Sequence, residues 1–281
     1  MSSQVWCARP RVMGVLNVSP DSFFNPAKAR DDVIQRAAAM IEAGADILDV
    51  GGIATNPNTA LGETTLAMEM DRVLPALEAL TQRFDVPLSV DTSRVEVISA
   101  AVSLGVAMIN DQQALAAPGA SALLAEHPDV LVCLMHTFSP ERLTQAKLPA
   151  PSVMLATVLA ALKQSAEAAV TAGIDPGRIL IDPGFGQGHF GKTCDENYYL
   201  LAHLAQFSKL GYPVLVGWSR KSMIGDVLGV PVDERLSGSL AAATIALMAG
   251  AAVIRVHDVK ESVAVSKIVS AVLAQRGEQD G

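Results

Sequence analysis

The chain repeats one pattern eight times: a short apolar run rich in Val, Ile and Leu, followed by a stretch with helical spacing. The runs show no polar alternation, which indicates strands covered on both faces, as in a parallel sheet. Four helical stretches end on a glycine, which caps a helix in the left-handed conformation without steric cost. These glycines are Gly44, Gly105, Gly173 and Gly250. The pattern predicts a single-domain (β/α)8 TIM barrel over residues 1–281.

Seven of the runs end in a polar residue, and the eighth ends in two glycines that follow Asp49 and Val50. The polar ends are Asn17, Asp91, Asn110 with Asp111, His136, Asp182, Arg220 with Lys221, and Arg255 with His257. In a (β/α)8 barrel the carboxyl ends of all strands meet at one mouth. We therefore expect these side chains to share one site.

Charge and composition limit the possible partners. The formal net charge of −8 argues against a nucleic-acid partner, because phosphate binding needs a basic surface. No run of about 18 apolar residues is present, and residues 1–11 lack the apolar stretch of a signal peptide. We therefore expect a cytoplasmic protein without a membrane partner. The three cysteines show no CxxC spacing, which argues against a disulfide framework and a structural zinc site.

Three short side chains at separate strand ends, Asp91, Asn110 and Asp182, suggest the kind of substrate. Carboxylate and amide oxygens that face one cavity are good acceptors for a flat heterocycle rich in donors, such as an aminopyrimidinone. The alternative is that these residues only cap the helices that follow them. Convergence of all three at one barrel mouth favours the ligand site.

A set of cations follows the last two predicted strands. Arg220 and Lys221 lie between two serines in GWSRKS, and Arg255 and His257 are two residues apart, so they point to the same side of their strand. Loops at this place in barrels often bind anions, which predicts a site for a diphosphate. The alternative, a surface Arg-His pair, is disfavoured by the apolar residues around Arg255.

Other residues give weaker signals. The amide of Asn17 could complete the shell of a hard cation such as Mg2+, which binds substrate phosphates. In DPGFG the glycines permit close approach to a ligand, and Phe185 offers an apolar wall. Met135 and His136 either line the pocket or pack. No Ser-His-Asp or Cys-His nucleophile is recognisable. The candidate site residues therefore indicate catalysis by positioning of the substrate and by stabilisation of a departing anion.

Nine stretches in order along nearly the whole chain resemble the dihydropteroate synthase family of folate biosynthesis. They are MGVLNVSPDSF (13–23), DILDVGG (46–52), SVDTS (89–93), IND (109–111), LMH (134–136), ILIDPGFGQG (179–188), GWSRKSMIG (217–225), ERLSGSLAAA (234–243) and VIRVHDVKE (253–261). The resemblance implies a transferase. The amine of p-aminobenzoate displaces the diphosphate of 6-hydroxymethyl-7,8-dihydropterin, giving dihydropteroate and pyrophosphate. It also implies a target for sulfonamides, which compete for the p-aminobenzoate pocket.

The resemblance assigns roles by matching position. It implies that Asp91, Asn110, Asp182 and Lys221 hold the pterin, that Asn17, Arg255 and His257 bind diphosphate and Mg2+, and that Arg220 and Ser222, with Phe185 nearby, serve the p-aminobenzoate side. Asp49, Thr55 and Met135 complete the expected substrate-binding set. Lys221, Arg255, His257 and Asn17 are the expected catalytic residues, and Asn17 is the expected metal ligand. The resemblance further suggests a homodimer through the late helices, where SLAAATIALMAG (239–250) is apolar.

Three loops depart from the family pattern. The loop after the second run reads GGIATNPNT instead of GGESTRPG, with Ile53, Ala54 and Asn56 in place of Glu, Ser and Arg. The first loop carries Phe24 and Asn25, and DPGFGQGHFGKTCDEN holds extra residues around His189 and Phe190. These departures keep two alternatives open: a paralogue that binds pterin without turnover, and a pterin-dependent methyltransferase. The methyltransferase has no need for the predicted diphosphate cations.

Overall fold

The computed structural model describes residues 8–18, 26–52 and 64–277, in which strands and helices alternate. The strands are β1 (Arg11–Asn17), β2 (Ile47–Gly51), β3 (Leu88–Asp91), β4 (Met108–Asp111), β5 (Leu131–Met135), β6 (Ile179–Asp182), β7 (Leu215–Val216) and β8 (Val253–Val256). The helices are α1 (Pro26–Glu42), α2 (Leu66–Thr81), α3 (Val95–Ser103), α4 (Ala120–Ala125), α5 (Pro151–Thr171), α6 (Cys194–Ala202), α7 (Ala205–Ser208), α8 (Ser222–Leu228), α9 (Leu236–Met248) and α10 (Val259–Gly277). Short 3-10 turns cover Pro140–Thr144, Pro176–Arg178, Gly188–Phe190 and Val232–Glu234.

All eight strands are parallel and lie in the order β6-β5-β4-β3-β2-β1-β8-β7. A parallel bridge between Ile181 and Val214 joins the two outermost strands, and the Ile181 amide donates to the Pro213 carbonyl at 3.0 Å. This contact closes the sheet into a barrel. The predicted (β/α)8 fold is therefore confirmed.

The barrel interior and the layer between strands and helices form two separate apolar clusters. Seven strands contribute apolar side chains to the interior, two from β5 and one from each of the others. These are Met13, Ile47, Met108, Leu131, Cys133, Leu180, Leu215 and Val253. Alternation along a strand then directs the side chain two residues later to the same interior, nearer the carboxyl end. Asp49, Asn110, Asp182 and Arg255 each follow an interior apolar residue by two positions. The polar mouth therefore lies directly on top of the apolar core.

The helices pack their apolar faces on the outside of the barrel, as their spacing predicts. In α1, Val33 and Ala37 are buried, and Met40 and Ile41 pack against the same cluster. The glycines that were expected to cap helices all have positive φ, from 83° at Gly105 to 104° at Gly173. Both results confirm that hydrophobic period and glycine placement determine the local structure here.

One helix in the described part of the chain, α5, is long and apolar enough to cross a membrane by length and composition. Its inner face is nevertheless buried in the apolar core, through Met154, Leu155, Val158, Leu162, Ala166 and Ala169. An apolar helix that packs against the sheet of a barrel also meets this criterion of length and composition. The finding therefore does not indicate a membrane partner.

Several residues singled out in the sequence lie outside the described residues. They are Thr55, the expected substrate-binding residue, and the loop departures Phe24, Asn25, Ile53, Ala54 and Asn56.

Candidate active site

Arg255 on β8 connects several strand ends at the centre of the mouth. Its Nε donates to Asp49 Oδ2 at 2.6 Å, and its Nη2 donates to Asp91 Oδ2 at 2.8 Å. Asn110 Nδ2 donates to the same Asp49 oxygen at 3.2 Å. The strand register places Asp91 beside Gly51 on one side and beside Asn110 on the other. The structure thus brings together four residues that the sequence predicted as a site.

Asp91 and its neighbours offer unused acceptors. Burial raises the pKa of Asp91 to about 6, although the nearby Arg255 guanidinium favours the charged carboxylate. Gln112 donates through Nε2 to both Asp91 oxygens, at 2.8 and 3.0 Å. Among the described residues, Asp49 Oδ1 and Asn110 Oδ1 are buried and accept no hydrogen bond. Oxygens of this kind can accept from the donors of a flat heterocycle.

Gln112 was not predicted from the sequence as a site residue. It follows Asn110 by two positions, so the same alternation that placed Asn110 at the mouth would have indicated Gln112 as well.

Asp182 and two lysines, the half-buried Lys221 and the buried Lys192, form the other half of the mouth. Asp182 Oδ1 accepts the Gly184 amide at 2.7 Å, and Lys221 Nζ donates to the Phe185 carbonyl in the same loop. Burial lowers the pKa of Lys221 to about 8, while Asp182 favours its charged form. Gly184 has φ of 72°, and a Cβ at this position would lie 1.9 Å from the His136 carbonyl oxygen. The close approach of the two loops therefore requires glycine.

Lys192 is the second lysine, and it was not predicted from the sequence as a site residue. The side chain is fully buried, and Nζ donates to the carbonyls of Gly184 at 2.8 Å and His136 at 3.2 Å. Burial lowers the pKa of Lys192 to about 7, although the charge of Asp182 favours the protonated lysine. Lys192 therefore joins the loops after β5 and β6 underneath Asp182.

The expected anion residues occupy two different places. His257 follows Arg255 by two positions and is exposed, with its Nδ1 and its backbone amide each 3.1 Å from Ser219 Oγ. Burial, followed by the charge of Arg255, lowers the pKa of His257 to about 4, so its ring is neutral at pH 7. Arg220 instead pairs with Asp258, Nε to Oδ2 at 2.9 Å, and has φ of 59°. Arg220 therefore lies at the rim with its charge already matched.

The apolar surface at the mouth differs from the sequence-based expectation. The Phe185 ring is 1% exposed and packs against Trp218, with ring centroids 4.5 Å apart. The half-buried Phe190 ring instead lies 4.7 Å from Lys221 Nζ. The wall beside Lys221 is therefore Phe190, because the turn after Asp182 directs Phe185 into the core.

Met135 is the last residue of β5, and His136 follows it. Met135 pairs in register with Asp182. Met135 and His136 both line a cavity of about 470 Å3, together with Gln112, Phe138 and His189. Burial lowers the pKa of His136 to about 3, helped by the charge of Lys192, so its imidazole is neutral at pH 7. His136 also stacks edge-on against Phe138 at 4.4 Å.

Asn17 lies at the carboxyl end of β1 with its side chain exposed. Its Oδ1 is 3.6 Å, and Asp91 Oδ2 is 3.9 Å, from the point that a Cβ on Gly51 would occupy. Asn17 and Asp91 are thus the oxygen-bearing neighbours of Gly51. No group of three or more His, Cys, Asp or Glu side chains suited to a metal ion occurs within residues 8–18, 26–52 and 64–277.

The barrel and its mouth define an enzyme of the pterin-binding class, and the family model "Pterin binding enzyme" matches residues 13–257. The dihydropteroate synthase of Escherichia coli K12 is 45% identical over 96% of this chain and 94% of its own length. The chain belongs to the dihydropteroate synthase family. The resemblance inferred from the nine motifs is confirmed.

Solved structures give the same result. A dihydropteroate synthase from Coxiella burnetii in complex with pteroic acid has a TM-score of 0.85 and 44% identity, with 94% of each chain covered. The enzyme from Xanthomonas albilineans with 4-aminobenzoic acid has a TM-score of 0.82 and 40% identity, with 95% of each chain covered. Members of this family are transferases, and the prediction of an enzyme of this type is confirmed.

Proposed function

We propose that this mouth carries out the dihydropteroate synthase reaction. The C–O bond between the pterin methylene and diphosphate breaks, the arylamine nitrogen of p-aminobenzoate forms the new C–N bond, and the amine loses one proton. The observation that carries the proposal is the set of polar residues at the carboxyl ends of the strands, of which Asp49, Asp91, Asn110 and Asp182 are buried and Lys221 and Arg255 are half-buried. It combines acceptors for a heterocycle with cations for a leaving anion.

In this proposal the pterin lies between Asp182 on one side and Asp91 with Asn110 on the other. Their oxygens accept from the ring nitrogens and the exocyclic amine, and Asp182 is kept in place by the Gly184 amide. Lys221 is beside Asp182, and its ammonium donates to a ring acceptor. Met135 packs against the flat face of the heterocycle. The low dielectric of the buried mouth strengthens each of these hydrogen bonds.

The diphosphate is bound by Arg255 and His257. Arg255 is already oriented by Asp49, which leaves part of its guanidinium fork for phosphate oxygens. If Ser219 donates its proton to His257 Nδ1, the other ring nitrogen, Nε2, carries the proton and donates to the anion. These contacts strengthen as negative charge develops on the departing group, which lowers the barrier for loss of diphosphate.

The residues also fit Mg2+. The ion usually keeps several waters and takes only one or two protein oxygens together with substrate phosphates. Asn17, with Asp91 close by on the other side of Gly51, offers such a sparse oxygen set. Bound there with the substrate, Mg2+ would neutralise charge on the leaving diphosphate.

The amine substrate approaches at the rim, next to Phe190, Lys221 and Ser222. Phe190 supplies an apolar surface for its ring, and Ser222 and Arg220 supply donors on the same side. Thr55 belongs to this proposed subsite by its sequence match and lies outside the described residues.

A coupled assay for pyrophosphate release, with and without p-aminobenzoate, tests the proposal. We expect release that depends on p-aminobenzoate and is lost in Asp182→Asn. Binding of pterin diphosphate without release would support a non-catalytic paralogue instead. Methyl transfer from a methylated folate, without pyrophosphate release, would support the methyltransferase.

We also propose a homodimer through α8–α10. Large apolar side chains on these neighbouring elements are exposed, namely Val227, Leu228, Val232, Ile245, Ile268 and Val272. Light scattering should give twice the mass of 29.4 kDa, and Ile268→Glu should shift it to the monomer.

A cytoplasmic location is part of the proposal, because Cys133 and Cys194 are free thiols.

A further inference from the structure

Gln187 lies in the loop after β6, just before the extra residues around His189 and Phe190. The half-buried side chain makes two hydrogen bonds, both to α8. Its Nε2 donates to Asp226 Oδ2 at 2.7 Å, and its Oε1 accepts from Ser222 Oγ. Gln187 therefore contacts Ser222, a residue of the proposed p-aminobenzoate subsite.

Asp226 determines which way the Gln187 amide points. An ionised carboxylate can only accept hydrogen bonds, so the NH2 group of Gln187 must face Asp226. The Gln187 carbonyl oxygen is then left facing Ser222, and that oxygen can only accept. The hydroxyl of Ser222 has a single proton, and Gln187 takes it.

The position of Ser222 gives this bond a consequence for substrate binding. Ser222 follows Lys221, whose ammonium lies against the Phe190 ring at the rim. The carboxylate of p-aminobenzoate, like that of Asp226, needs donors. Ser222 can donate to it only after its bond to Gln187 is broken. The other donor proposed for this side, Arg220, is paired with Asp258.

We propose that Gln187 is a specificity-determining residue, which competes with the carboxylate of the amine substrate for the hydroxyl proton of Ser222. The proposal rests on the proposed function, in which Ser222 serves the p-aminobenzoate side. Gln187 thereby lowers the preference of the site for arylamines with an anionic para group. A competing neutral hydrogen bond corresponds to a factor of about 2 to 12 in affinity.

A double-mutant cycle tests the competition. The Michaelis constants for p-aminobenzoate and for pterin diphosphate are measured in the parent, Gln187→Met, Ser222→Ala and the double variant, with thermal melting to confirm folding. Met keeps the length of the side chain without its hydrogen bonds. We expect Gln187→Met to lower the constant for p-aminobenzoate by about 2- to 12-fold and to leave that for pterin diphosphate unchanged. In the Ser222→Ala background the same change should have no effect.

Two further arms separate the possible failures. Asp226→Ala frees the amide of Gln187 to turn, so the constant for p-aminobenzoate should fall in this variant too. In an active enzyme, two results would overturn the role of Gln187. One is a Michaelis constant for p-aminobenzoate that is unchanged or raised in Gln187→Met. The other is an equal fall of this constant when Gln187→Met is made in the Ser222→Ala background. If the parent neither releases pyrophosphate with p-aminobenzoate nor binds it by calorimetry, the proposed function fails, and the role of Gln187 with it.

Discussion

Lys192 provides a quantitative test of the buried mouth. The side chain is fully buried and donates to two backbone carbonyls, with Asp182 nearby as the favourable charge. Replacing it by Met removes the charge and keeps a flexible apolar stem of similar length. We expect this substitution to change how the free energy of unfolding depends on pH.

The direction of this pH dependence follows from the number of protons that the folded and unfolded states bind. Burial lowers the pKa of Lys192 from 10.5 to about 7, so between these values the unfolded chain holds a proton that the folded protein has lost. Stability therefore rises with pH in this window, and the penalty for burying the charge is fully present below pH 7. Integrating proton uptake from pH 7 to 9 gives a rise of about 2 kcal/mol from Lys192 alone.

Urea titrations at pH 7 and pH 9 measure this rise. Lys221, whose pKa is lowered to about 8, contributes in the same direction in both proteins, so the difference between parent and Lys192→Met isolates Lys192. Lys163→Met is the matched control, because that side chain is 64% exposed on α5. The reasoning is refuted if the parent and Lys192→Met gain the same stability between the two pH values.

Three other predictions concern ligand binding. Lys221→Ala and Asp182→Asn each remove a preorganised electrostatic contact and should reduce pyrophosphate release by about 10²- to 10³-fold, with little change in melting temperature; near-normal turnover would remove that residue from the site. Calorimetry should show that pterin diphosphate binds without p-aminobenzoate and that EDTA weakens this binding, whereas equal affinity with and without metal would contradict a Mg2+ site at Asn17. Asn56→Arg, at a position outside the described residues, should strengthen p-aminobenzoate and sulfonamide binding by about 10- to 150-fold, and equal constants in the parent would show that the loop change is neutral.

The sequence was sufficient for the fold and for the approximate position of the site. Hydrophobic period, strand length and terminal glycines are local properties, and seven of the eight strands follow them closely, whereas β7 has only two residues. Because parallel strands in a barrel end at one mouth, the polar residues after each strand could be grouped before any contact was known. Asp91, Asn110, Asp182, Lys221 and Arg255 were identified in this way.

Tertiary structure decided which partners these residues have. Arg255 lies 206 positions from Asp49, and only the pairing of β8 and β2 with the same strand, β1, brings them within 2.6 Å. The local turn with positive φ at Gly184 buries Phe185 and leaves Phe190 at the rim.

Lys192 carried no signal in the sequence, because its partners are backbone carbonyls, which every residue possesses. The bond between Gln187 and Ser222 likewise depends on how one loop packs against α8. Alternation along a strand indicates which residues face the mouth. The choice of hydrogen-bond partner depends on distances of a few tenths of an ångström, and packing of the whole barrel determines these distances.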